Sequence, residues 1–147
     1  MGRSGAAGWS GPAAAGGGHG AQRALLPWRV LGALLLLAMG GIHLYLVFHG
    51  FSGLVGTLFV LNAIGSLVLA VAMLVVPGRL LGLTSGLSAL FMAGTLLALV
   101  LALTVGFLGV REQLGNQLVP TTLVVESVGT IVLALTAARA SRLRHRG

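Results

Sequence analysis

The chain has 147 residues, of which 56% are hydrophobic and 7% charged, and its formal net charge of +7 comes from nine arginines set against two acidic residues. So few polar side chains cannot cover the surface of a water-soluble globule, so lipid must be the solvent. The absence of cysteine excludes disulfides and thiolate metal sites.

Residues 1–24 are mostly Gly, Ala and Ser, too poor in large apolar side chains to offset the entropy of ordering, and are expected to form a disordered cytoplasmic tail. The leucine run that follows Arg23 and Arg29 has the flanks of a signal peptide. It continues without a charge to Phe48 and lacks a convincing small-x-small cleavage site, so it is read as an uncleaved first span.

Four charge-poor runs follow at about 30–48, 54–76, 80–110 and 118–138, each at or above the roughly 18 to 20 residues that a helix needs to cross the hydrocarbon layer. They are Leu- and Ala-rich and lack period-two alternation, which favours helices over barrel strands. The third run would measure roughly 46 Å as a straight helix, so it must tilt, protrude or break near Gly106 or Gly109. Short connections then predict an all-α, up-down bundle of four transmembrane helices over residues 25–138, followed by a basic cytoplasmic tail at 139–147.

Arginines precede the first span, occupy the 76–79 turn and follow the fourth span, while Arg111 alone falls on the other side. By the positive-inside rule both termini are cytoplasmic, in a membrane read as a bacterial plasma membrane. Topology accounts for the arginines, so no nucleic-acid partner is expected. Arg139, Arg142, Arg144 and Arg146 are placed to contact anionic lipid headgroups of the bilayer.

Helices in lipid associate through close backbone approach and interhelical hydrogen bonds, because apolar side chains gain little by leaving acyl chains for one another. Gly94, Ala98, Ala102 and Gly106 recur at four-residue spacing and form a candidate packing seam, internal or between two copies of the chain. Asn62, Ser66 and Ala70 make a comparable stripe on the second span, and Thr122, Glu126, Gly129 and Thr130 share one face of the fourth. These faces are expected to point inward, with another membrane protein as the alternative partner.

Counting roughly 1.5 Å per residue brings His43, Asn62 and Glu126 to one depth near the bilayer centre. An isolated carboxylate there costs on the order of 2.5 to 3.5 kcal/mol, so Glu126 should find a partner. Either it is protonated and donates to Asn62 or His43, or it passes its proton to His43 and pairs with the imidazolium. Such a cluster serves as an inert polar clasp, a proton- or cation-linked site, or part of a pocket for a lipid or quinone-like molecule. A bis-His haem or a metal is not expected, since no second His lies at membrane depth on another span and one Glu–His pair leaves a metal's coordination incomplete.

At Gly41-Ile42-His43-Leu44-Tyr45-Leu46, Leu58-Phe59-Val60-Leu61-Asn62-Ala63, Gly106-Phe107-Leu108-Gly109-Val110-Arg111-Glu112 and Val124-Val125-Glu126 the chain resembles uncharacterised small four-span integral membrane proteins of actinobacteria. The likeness covers roughly residues 28–138, implies the same topology and singles out the same His, Asn and Glu. It implies no activity. The first reading is therefore a structural or accessory membrane subunit with a buried polar cluster. The alternative is a proton-linked small transporter or channel subunit using Glu126 and His43. An enzyme ranks last, because the loops carry too few polar residues to build an active site, and no cofactor is expected.

Overall fold

The computed structural model describes residues 17–115 and 118–144. Among these residues the chain forms helices α1 (Gly17–Phe48), α2 (Gly53–Val75), α3 (Gly78–Thr104) and α4 (Val119–Arg144), and no strand. Each helix is long and apolar enough to cross a membrane, with mean hydropathies of 2.2, 2.5, 2.2 and 1.7 over its most apolar window. This is the build of a multi-pass membrane protein. Leu34, Leu67, Leu83, Leu90 and Ile131 lie exposed on its flanks, as a hydrocarbon solvent allows.

The first helix starts at Gly17, earlier than the apolar run, and carries Pro27 inside it. Residues 1–16 of the expected tail lie outside the described residues. It ends where Gly50 takes a φ of +117°, and the Phe51 N–H turns back to Leu46 O at 3.3 Å. Pro77 separates α2 from α3, since it offers no N–H to continue the first and is tolerated at the start of the second. The last helix runs to Arg144, so Arg139 and Arg142 ride on its final turns. The side chain of Arg144, and Arg146, fall outside the described residues.

The long third run resolves into a helix and a reversal. Helix α3 stops at Thr104, and the N–H groups of Val105 and Gly106 both donate to Leu101 O, at 3.0 and 2.9 Å. Gly106 has a φ of +86°, a conformation that ends a helix at little steric cost only without a Cβ. Phe107 and Val110 then exchange two backbone hydrogen bonds of 2.9 Å around Leu108 and Gly109. Both central residues have positive φ, 48° and 80°, the signature of a type I′ turn. The Glu112 N–H donates to Ala102 O at 3.1 Å and the Arg111 guanidinium reaches Val105 O at 3.5 Å, so carbonyls orphaned at the helix end find donors.

At one end of the bundle Arg29 of α1 donates to Val76 O at 2.9 Å, and the Arg139 guanidinium of α4 stacks 4.1 Å over Trp28. At the same end, a side chain on Gly82 of α3 would press on Ser141 of α4. The start of α1, the α2–α3 turn and the end of α4 therefore share that end. The 49–52 and 105–118 connections share the other, as an up-down bundle requires. Helices α1 and α2 pack broadly on one another, as do α3 and α4, with α1 against α4 joining the pairs, whereas α2 and α3 scarcely touch.

The half nearer the chain ends is closed. Leu36, Met73, Leu81 and Leu133 are fully buried there, together with Ser66, Ser85 and Thr136. These hydroxyls donate to the carbonyl four residues back, Ser66 to Asn62 O, Ser85 to Leu81 O and Thr136 to Val132 O, each at 2.7 Å. Satisfied on their own helices, they act as small packing residues.

Candidate functional site

The half nearer the two connections is open. A cavity of about 990 Å³ there is lined by residues of all four helices, and α2 and α3 make few contacts with one another. His43 and Tyr45 of α1, Phe59 and Asn62 of α2, Phe91 and Thr95 of α3, and Thr122 and Glu126 of α4 contribute to its wall, with Phe107, Leu108 and Glu112 of the reversal bounding it. The three expected polar residues, from three different helices, thus line one space.

All three are buried: His43 is 7% exposed, Asn62 8% and Glu126 0%. They do not clasp one another. His43 Nδ1 lies 2.9 Å from Met39 O of its own helix. A carbonyl only accepts, so Nδ1 carries the proton and Nε2 of the neutral ring is left as an acceptor. The ring meets Phe59 edge-on, with centroids 5.0 Å apart and planes at 81°. Asn62 Oδ1 and both carboxyl oxygens of Glu126 have no hydrogen-bond partner in the protein.

Unpaired buried acceptors of this kind are rare in folded chains and each calls for a physical reason. The Thr95 side chain is near enough to interact with the Glu126 carboxyl, but without the geometry of a full hydrogen bond. Its hydroxyl donates instead to Met92 O at 2.8 Å and lies 3.2 Å from Met39 Sδ. The carboxylate therefore sits at the cavity wall, its oxygens covered, with no cationic side chain among the residues lining the space.

Compared with protein-family profiles, curated proteins and solved structures, the chain matches none. Its chemistry must be read from its own residues.

The candidate seam on α3 is distributed differently from its spacing. Gly94 is exposed, and a side chain there would meet open space; Ala98 and Ala102 line the cavity, and Gly106 forms the helix end against Arg111. Close approach between helices occurs elsewhere: Gly129 lies on Met92, Gly40 on Ser66, and Gly32 on Leu133 and Met73. Thr95, Phe59 and Phe91 were not singled out by sequence reasoning. Thr95 follows Gly94 and stands one helical turn past Phe91, which reads as ordinary span composition, and only the bundle geometry sets it beside Glu126.

Proposed function

We propose that this chain is a proton-linked subunit of a small-molecule transporter or channel, with Glu126 as the group that gains and loses the proton and His43 Nε2 as a second acceptor across the cavity. The observation that carries the reading is the Glu126 carboxyl, fully buried and with neither oxygen hydrogen-bonded, at the wall of a cavity of about 990 Å³. An inert clasp would bury its polar groups on each other, because an unmet buried acceptor costs on the order of 1 to 3 kcal/mol. Here that cost is retained at a titratable group, as in intramembrane relays.

In this reading the protein sits in a plasma membrane with both termini cytoplasmic, so the cavity opens outward, and Arg139 and Arg142 meet anionic headgroups. The accessory-subunit reading retains one observation of its own. Helices α2 and α3 scarcely touch, leaving a seam that a helix of a second copy or of another membrane protein could fill.

The test is proton flux into proteoliposomes loaded with a pH-sensitive dye, under an imposed pH gradient. Glu126→Gln is expected to abolish the flux while leaving helicity and gel-filtration behaviour unchanged. Flux equal to wild type in that variant would remove the reading.

A further inference from the structure

We infer that the cavity selects amphiphilic organic ammonium ions, exchanging the Glu126 proton for the ligand's positive charge; this rests on Glu126 being the proton-exchanging group. Three features of the site carry it. The first is charge. The lining brings the buried Glu126 carboxyl and no Lys or Arg, so an anionic ligand would meet like charge there once that group is ionised, and a cation would neutralise it.

The second is hydrogen-bonding sense. The unpartnered Ser88 hydroxyl lies off this wall; on residues that line the cavity, the buried polar atoms left without a partner are Asn62 Oδ1 and the two Glu126 oxygens, and the tautomer of His43 adds Nε2. All are acceptors, and an ammonium group brings only donors. A bare inorganic cation is a poor match, because hard ions take about six or more oxygen ligands and most of this wall is carbon.

The third is the apolar remainder. A volume of about 990 Å³ is at the upper end of the roughly 300 to 1,000 Å³ typical of small-molecule sites. Phe59, Phe91, Phe51 and Tyr45 offer ring faces and edges to an organic body and to its charged head. The floor is closed by Met39 and Thr95, whose side chains touch across the α1–α3 gap.

The exchange balances without a further reactant. A protonated Glu126 and an incoming R–NH3+ give a Glu126 carboxylate paired with the ammonium, and one H+ leaves. The O–H bond of the carboxyl breaks, and water in the cavity or His43 Nε2 takes the proton. A rotation of the Glu126 side chain brings the covered oxygens into the lumen. The other titratable groups on the cavity wall are His43 and Tyr45 from α1, His49 from the connection that follows it and Glu112 from the reversal; the lining residues of α2 and α3 add none.

The experiment uses the full chain in nanodiscs, with empty nanodiscs as reference, and two matched ligands, 4-phenylbutylamine and 4-phenylbutan-1-ol, followed by equilibrium dialysis and by proton release in weak buffer. The amine is expected to bind at least tenfold more tightly than the alcohol and to release a proton, and Glu126→Gln to lose at least tenfold for the amine alone. Glu126→Asp, which keeps the charge, should keep the preference if the Gln variant fails to fold. Equal binding of amine and alcohol, or amine binding unaffected by Glu126→Gln, overturns the inference. If proton flux in the absence of amine still depends on Glu126 in that case, the earlier reading stands and this one alone falls.

Discussion

Gly129 of α4 lies against the thioether of Met92 on α3, so close that a Cβ at position 129 would overlap Met92 Sδ. Met92 is fully buried and cannot swing aside into solvent. Gly129→Ala should therefore overpack this crossing and cost about 1 to 3 kcal/mol. Thermal melts in detergent check it, and Met92→Ala in the same background should show a coupling of opposite sign. An unchanged melting temperature for Gly129→Ala would mean that the α3–α4 contact is looser than the structure places it.

Glu126 should be a net burden on stability. Replacing it with Met, which is similar in volume and has no strongly polar atom, removes two unmet acceptors and is expected to stabilise the bundle by on the order of 1 to 3 kcal/mol. The midpoint of unfolding by denaturing detergent reads this. A loss of stability would instead mark Glu126 as part of a structural clasp, and would count against the proton-linked reading together with the flux assay.

Leu108 occupies a left-handed conformation, φ +48°, that a branched apolar side chain adopts at a cost of roughly 1 to 2 kcal/mol. Leu108→Asn places at the first central position of a type I′ turn a residue that suits it. The variant should gain up to about 1 kcal/mol in the same unfolding assay. A loss would show that the Leu108 side chain, which borders the cavity, contributes more through packing than its backbone loses.

The absence of native cysteine makes orientation directly measurable. Ser52→Cys, in the connection after α1, should react with a membrane-impermeant maleimide added outside intact cells, and Gly78→Cys, at the α2–α3 turn, only after lysis. The reverse pattern would place the cavity mouth on the cytoplasmic side.

Much of the architecture was legible because lipid imposes a simple rule. A run such as 54–76, free of charge and apolar on most of its faces, is long enough for a membrane-crossing helix, and α2 occupies Gly53–Val75. The third run was harder to read. Its length demanded an interruption, and Gly106 supplied a site for one, but composition alone does not distinguish a tilted helix from a helix followed by a turn. The hydrogen bonds from Val105 and Gly106 to Leu101, and from Glu112 to Ala102, decided for the turn.

The candidate site was legible as membership and not as geometry. Counting residues along each span brought His43, Asn62 and Glu126 to one depth, since helical rise is nearly constant. It could not report that α2 and α3 scarcely touch, and so it anticipated contact where the helices leave a cavity. The small residues of α3 show the same limit. Four-residue spacing defines a face, but which face meets a neighbour depends on the rotation of all four helices together, which set Met92 and not Gly94 against α4.

By itself, then, the sequence determined the number, length and apolar character of the four helices, because each follows from the residue-by-residue cost of transfer into lipid and a fixed rise per residue. Only the tertiary structure decided that the acid goes without a partner beside an open space. Interhelical distance depends on side-chain fit across every crossing at once, and no single helix carries that information.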